Sequence, residues 1–405
     1  MYIRSKRIYT SEGIKDGYLV IQGKKIVGFL DASAKVSEYE DYTNEIIIPG
    51  IFDTHCHAAM GYSPRGDYYG DIEVKKFLKG VASMGVSLIF PTIAKYDDYV
   101  FERLARLMDE EIDGAKMLGI HSEDTDGLGH RVGEKGKPIT NDRIDMDLVK
   151  GIYESSCGKL KLCGIAPELA GSKEAIEYLT QRGVKVAFMH SEADYQTALD
   201  SFKNGITIST HTANVMRGIH HRHMGGLGAC LLDKDLYNEI ICDFLHLSKE
   251  MITLMFKAKN DMSKWIMISD NASIACAGAP AGRYTGSKGS LDANVFNISE
   301  EGFCLTNTGR LSGSTKPILF GIKNLVTELK MPLEEVIKLA SYNPCQFYGF
   351  KEKGAIKIGN DCDLTIIDND FNCISTYTEG KKVYDKIKDK ECFNPEWVKL
   401  HKVEV

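Results

Sequence analysis

No apolar run in this 405-residue chain approaches the roughly 20 residues needed to cross a bilayer, which excludes a spanning helix within it. Its first residues, Met-Tyr-Ile-Arg-Ser-Lys-Arg, lack the apolar core of a secretion signal, so no leader is expected. Basic residues are not in excess. Fifty Lys and Arg stand against 56 Asp and Glu, for a net charge of −6, which argues against a nucleic-acid partner. No Cys-x-x-Cys pair occurs among the 11 cysteines, and their number is odd. That argues against a disulfide scaffold and for reduced thiols in the cytoplasm. Internal repeats and low-complexity tracts are also missing. What remains is 43% hydrophobic and 26% charged, an ordinary globular composition. The length allows a large core and more than one domain.

The most informative stretch runs from Ile46 to His57, Ile-Ile-Ile-Pro-Gly-Ile-Phe-Asp-Thr-His-Cys-His. An apolar run ends in a Pro-Gly turn, and a second run ends in His55 and His57. Side chains two apart on a strand share a face, so the two imidazoles point together and Cys56 points away. Such a pair suits a divalent metal such as zinc. By itself it reads as polar surface or core just as well.

Residues 1–48 read as short strands, with a hairpin around Gln22-Gly23-Lys24-Lys25. From residue 50 to about 345, apolar runs alternate with helical stretches. Strands are expected before His55 and at 86–91, 115–121, 160–167, 185–190, 206–211, 239–244 and 265–270. Helices are expected at 98–108, 172–182, 316–329 and 332–341. Eight strands alternating with helices predict an α/β fold, a (β/α)₈ barrel over residues 50–349. The Gly-, Ser- and Thr-rich segment 278–315 reads as a long loop. Residues 350–405 return to short strands, so 1–49 and 350–405 are expected to form one small β-sandwich domain.

Active sites of such barrels lie at the C-terminal ends of the strands. There this chain places His55 and His57, then Glu123, Glu168, His190, His211, His246 and Asp270. Convergence of these types on one mouth is what a one- or two-metal hydrolase needs. His190 alone would read as a hydrogen-bonded structural histidine, and Glu168 reads equally as a residue that positions a loop. The run His220-His221-Arg222-His223 reads as a solvated loop, within which Arg222 has the geometry to bind phosphate. Lys135 and Lys137 are further candidates for an anionic substrate.

The chain resembles the amidohydrolase superfamily, and within it the N-acetylglucosamine-6-phosphate deacetylases. The resemblance rests on Pro-Gly-Ile-Phe-Asp-Thr-His-Cys-His (49–57), Ala-Pro-Glu-Leu (166–169), His-Ser-Glu-Ala (190–193) and Thr-His-Thr-Ala-Asn-Val-Met (210–216). Ile-Ser-Asp-Asn-Ala (268–272), Pro-Ala-Gly-Arg-Tyr (280–284), Leu-Ser-Gly-Ser (311–314) and Ser-Tyr-Asn-Pro-Cys (341–345) add to it. The resemblance implies a metal-dependent deacetylase of an N-acetyl amino-sugar phosphate. It implies that Glu123, His190 and His211 hold the main metal and that His55 and His57 hold a second. Asp270 is implied as catalytic acid/base and metal contact, and His246 as the contact near the substrate amide. Asn214 and Arg222 are implied at the phosphate, the arginine coming from the other subunit of a homodimer. The expected cofactor is zinc, with iron as the alternative, at one or two ions per chain.

The chain departs from the family at Asp124-Thr125-Asp126, where Gly-Pro is usual after the glutamate. It departs again at Gly136-Lys137-Pro138, where a phosphate-binding His is usual, and at Ala58-Ala59. These leave the sugar open, and with it two rivals: hydrolysis of another amide, such as an N-acyl amino acid or a cyclic amide, and a non-catalytic binding protein.

Overall fold

The computed structural model describes residues 1–405 except 124–126, 133–137, 140–141, 277, 286–294, 307–308, 391 and 404–405. Eight parallel strands form a barrel wall: β1 (Ile51–Cys56), β2 (Val86–Ile93), β3 (Ile120–Ser122), β4 (Leu160–Ile165), β5 (Lys185–Phe188), β6 (Ile206–Ser209), β7 (Tyr237–Ile241) and β8 (Trp265–Ile268). They neighbour one another in chain order. The gap between β8 and β1 closes just past the strand ends. There the Asp270 N–H donates to the His55 carbonyl at 2.9 Å, and the His57 N–H donates to the Asn271 carbonyl at 3.2 Å. The strands read as unbroken apolar runs because both of their faces are covered.

The interior is a packed core. Leu162, Ala187, Ile208, Ile241, Ile266 and Ile268 meet inside the barrel, with Phe347 and Tyr348 against them. Those two aromatics end the helix Tyr342–Tyr348. The Tyr348 ring meets Phe90 edge-on at 4.7 Å, and Phe90 meets Phe52 at 4.9 Å. Phe52 lies near the start of β1, so this plug seals the N-terminal end and leaves the site to the opposite end. The outer helices bury the faces their spacing dictates. Ser172–Thr180 buries Ala175, Ile176 and Leu179, and Asp98–Leu107 buries Val100, Leu104 and Leu107. No helix among the described residues is long and apolar enough to cross a membrane.

The chain ends meet in one sheet. Leu364–Ile367 runs antiparallel to Ile46–Pro49, which pairs in parallel with Tyr2–Thr10. The segment after residue 356 bonds the far edge of that sheet, Ile26 N–H to the Asn360 carbonyl at 3.0 Å and Cys362 N–H to the Lys24 carbonyl at 2.7 Å. The sheet thereby folds back on itself around Ile3, Leu19, Ile47, Leu364 and Tyr377. Gly50 is the hinge into the barrel. A Cβ there would sit 2.7 Å from the Ser87 Cβ and 2.8 Å from that of Asp363, so no larger residue fits the Pro-Gly turn.

Two segments differ from the sequence-based expectation. The stretch 278–315 is not simply a loop, because Gly282–Thr285, Val295–Ile298 and Cys304–Thr306 form a three-stranded antiparallel sheet. Strands of three or four residues between Gly- and Ser-rich stretches are too short to give a period-2 signal. The chain also ends in a helix, Pro395–His401, capped by the Asn394 side chain. Its Trp397 is 2% exposed and packs with Tyr284 and Phe296 of the small sheet. Asn394 N–H donates to the Met60 carbonyl at 2.7 Å, tying the C-terminal segment to the loop that follows His57.

Candidate metal centre

The residues expected at the strand ends meet at the barrel mouth. His55, the fifth residue of β1, is fully buried, and His57 follows one residue past the strand. Glu123 follows β3, His190 and His211 lie two residues past β5 and β6, and Asp270 lies two past β8. Three of these have left-handed backbone: His190 at φ 42°, His211 at 28° and Asp270 at 49°. Such positions cost about 1–3 kcal/mol each and persist only where surrounding bonds over-determine them. Here they are braced. The His130 N–H donates to the His190 carbonyl at 3.0 Å, and the Ser314 N–H to the Asp270 carbonyl at 2.7 Å. The His211 N–H donates to Glu239 Oε2 at 3.3 Å.

Glu123 divides its two oxygens between two imidazole pairs. Oε2 lies 2.8 Å from His57 Nε2 and 3.3 Å from His55 Nε2. Oε1 lies 2.9 Å from His211 Nε2 and 3.4 Å from His190 Nε2. Within each pair the Nε2 atoms face each other, at 3.2 Å for His55 and His57 and 3.1 Å for His190 and His211. Asp270 belongs to the first pair, with Oδ1 3.4 Å from His55 Nε2 and 3.3 Å from His57 Nε2. Two ligand sets result, His55–His57–Glu123 and Glu123–His190–His211, joined by one carboxylate. Imidazole nitrogens and carboxylate oxygens converging in a buried pocket form a donor set suited to divalent ions.

In each pair one histidine is held from behind through its other ring nitrogen. His190 Nδ1 donates to the His130 carbonyl at 3.1 Å. His55 Nδ1 donates to Glu239 Oε2 at 3.1 Å. Contacts of this type fix the tautomer and turn Nε2 inward. Glu168 accepts from the Ser191 hydroxyl at 2.7 Å and from the Glu192 N–H, and lies 2.9 Å from His130 Nε2. It therefore positions the loop that carries His190. His246 follows β7, and its Nδ1 donates to Asp243 Oδ2 at 2.9 Å, the same oxygen that accepts from Ser314 Oγ at 2.7 Å.

The electrostatics follow from burial and mutual contact. Burial opposes charge on His57, but hydrogen bonds to Asp270 and Glu123 outweigh it and push its pKa up to about 9. His55 is raised in the same way: burial opposes its charge, and the fields of Glu123 and Asp270 prevail. Burial also opposes charge on Glu123 and Asp270, yet the facing imidazoles hold both carboxyls well below the usual range. His121, buried beneath His55, is pushed far down by burial and then by the charge on His55, so it stays neutral. Asp53, whose Oδ1 accepts from the N–H groups of His55 and Ser269, is raised by burial to about 6.

Other expected residues stand apart from this cluster. Asn214 follows His211, and its Nδ2 donates to the His211 carbonyl at 3.1 Å. Arg222 is exposed at the tip of the turn His220–His223, where its backbone N–H donates to His220 Nδ1 at 3.3 Å. Lys135 and Lys137 lie outside the described residues. Glu239 and Asp243 did not emerge from the sequence reading, although a carboxylate inside an apolar strand is a signal that it is paired.

A model of the Amidohydrolase family matches residues 165–385, more than half of the chain. The chain is 27% identical over 354 residues to the N-acetylglucosamine-6-phosphate deacetylase of Vibrio furnissii, covering 84% of this chain and 83% of that protein. It is 25% identical over 386 residues to the N-acetylgalactosamine-6-phosphate deacetylase of Escherichia coli O157:H7, covering 94% and 98%. Among solved structures, the N-acetylglucosamine-6-phosphate deacetylase of Thermotoga maritima superposes with a TM-score of 0.78 at 25% identity, covering 95% of this chain and all of that one.

Proposed function

The chain belongs to the amidohydrolase family, and from that premise we propose that it removes the acetyl group of an N-acetyl amino-sugar phosphate, N-acetylglucosamine-6-phosphate first. Acetate and the free amino-sugar phosphate would be the products. The observation that carries the proposal is the division of Glu123 between two imidazole pairs at the mouth of the barrel. The similarity to curated deacetylases of both the gluco- and galacto-configured sugars supports the substrate class and leaves the epimer to experiment.

In this reading His55, His57, Asp270 and Glu123 would hold one ion, and Glu123, His190 and His211 would hold another. Zinc is the first choice and iron the alternative. Divalent ions in such a site lower the pKa of a water and polarise a carbonyl oxygen. Asp270 takes a proton from the attacking water and later gives it to the departing amine nitrogen. His246 would donate from Nε2 to the acetyl oxygen as negative charge develops, as an imidazolium whose charge burial opposes and the hydrogen-bonded Asp243 carboxylate favours. The carbonyl carbon gains the water oxygen, the C–N bond breaks, and the proton ends on nitrogen.

Asn214, Lys137 and Arg222 would hold the phosphate. The exposed turn carrying Arg222 fits donation into the mouth of a second copy, so we propose a homodimer. The free thiols of all 11 cysteines suit a reducing compartment, and we propose the cytoplasm. The test is acetate release from N-acetylglucosamine-6-phosphate, N-acetylgalactosamine-6-phosphate, their unphosphorylated sugars and an N-acyl amino acid. Preference for a phosphorylated sugar is expected. Comparable or faster turnover of the N-acyl amino acid would instead favour the rival, which the unusual Asp124-Thr125-Asp126 motivates.

A further inference from the structure

Glu239 is a fully buried carboxylate in the middle of β7, on a strand whose other inward contacts are apolar. A carboxylate in such a place is strongly disfavoured unless bonds satisfy it. Its bonds are specific. Oε2 accepts from His55 Nδ1 at 3.1 Å and from the His211 backbone N–H at 3.3 Å, and Oε1 accepts from Thr54 Oγ1 at 3.4 Å. One oxygen thus touches a histidine of each imidazole pair. Oε2 accepts from Nδ1, so a His55 whose Nε2 serves as an ion ligand keeps its one ring proton on Nδ1, directed at Glu239, and leaves the Nε2 lone pair to the ion. The second bond falls on a residue whose left-handed φ of 28° needs support. His121 meets His55 edge-on at 4.6 Å from another side, so the ring cannot swing away within the barrel.

From this geometry we infer that Glu239 is a positioning residue that couples the two ligand sets, orienting His55 through its side chain and His211 through its backbone. The inference rests on the reading of those sets as a two-ion metal centre. Nothing in it requires Glu239 to touch substrate or metal. Through shared contacts it sets whether the His55–His57 set and the Glu123–His190–His211 set can be filled together.

The experiment uses cobalt(II) as the probe on the full-length protein freed of metal. Glu239→Leu keeps bulk and removes the acceptor, and Glu239→Gln keeps an acceptor oxygen without the charge. Loss of a partner behind a metal-binding histidine ordinarily costs about 10–100-fold in metal affinity. Glu239→Leu is therefore expected to weaken the second cobalt ion by that factor and to alter the visible ligand-field bands. Glu239→Gln is expected to recover most of both. A folded Glu239→Leu with unchanged affinity and bands overturns the inference, as does a Gln variant as damaged as the Leu variant. Nitrogen-15 spectra of histidine-labelled, zinc-loaded wild type provide a test independent of variant folding: a proton on Nδ1 of His55 supports the inference and a bare Nδ1 refutes it. Wild type that takes up no more than one ion refutes the two-ion reading itself, and that result is separate from an indifferent variant of a fully loaded protein.

Discussion

Asp270→Asn changes a charge and almost nothing else at the barrel mouth. The carboxylate Oδ1 lies 3.3 Å from His57 Nε2 and 3.4 Å from His55 Nε2, at the end of the strand Trp265–Ile268. Burial works against its ionisation, but the two imidazoles hold it well below the ordinary carboxylate range, so it is ionised throughout the neutral region. Asparagine fits the same space and presents one coordinating oxygen, but it has no basicity at neutral pH. Glu123, His190 and His211 do not depend on it, so at least one ion should remain bound. General acid–base catalysis ordinarily contributes about 10²–10⁴-fold, which corresponds to roughly 3–5 kcal/mol of barrier. Turnover measured by acetate release should fall by about two orders of magnitude or more. KM should change little, since the residue acts mainly in the transition state. Metal content is measured on the same sample. Near-normal turnover with metal in place would refute the assignment and move the proton path to His246 or another group at the mouth.

Metal-free protein should lose stability as pH rises from about 6.5 toward 9. His57 is raised on folding to about 9, so its contribution is complete below the unfolded value near 6.5 and vanishes as pH passes the folded value. Thermal melts of chelator-treated protein check this, and a flat Tm across that window contradicts it. Zinc affinity should climb over the same range, because binding must expel the His57 proton, and competitive chelation measures it. Arg222→Ala should raise KM for a phosphorylated sugar at least tenfold while leaving the unphosphorylated sugar nearly unchanged. Equal effects on both would remove Arg222 from the phosphate site. Trp397→Ala empties the centre of the cluster formed with Tyr284 and Phe296, and should cost about 3–5 kcal/mol. An unchanged melting curve would mean that the C-terminal helix is not part of the cooperative fold.

The barrel was legible because its strands are buried on both faces and so read as plain apolar runs, all but the second ending in or followed by a ligand-type residue. His55 and His57 stood out as an alternating pair, and Glu123, His190, His211 and Asp270 by their position after such runs. Glu239 was hidden by a boundary error. The sequence reading begins the seventh strand at Glu239, where a charge is unremarkable, whereas the strand begins at Tyr237 and buries the carboxylate inside it. Asp243 was hidden because the partner it orients, His246, lies three residues on in a turn without periodicity. The three-stranded sheet over 282–306 and the helix Pro395–His401 stabilise each other across about 100 residues of sequence. Neither has a local pattern strong enough to announce it, since their stability comes from packing on each other.

The central claim is that one carboxylate, Glu123, joins two ion sites into a single hydrolytic centre. Its most direct test is stepwise titration of metal-free protein with zinc while acetate release from N-acetylglucosamine-6-phosphate is followed. Under that claim, activity rises with added metal and reaches its maximum near two equivalents per chain. Full activity at one equivalent, or no acetate release at any loading, would contradict it.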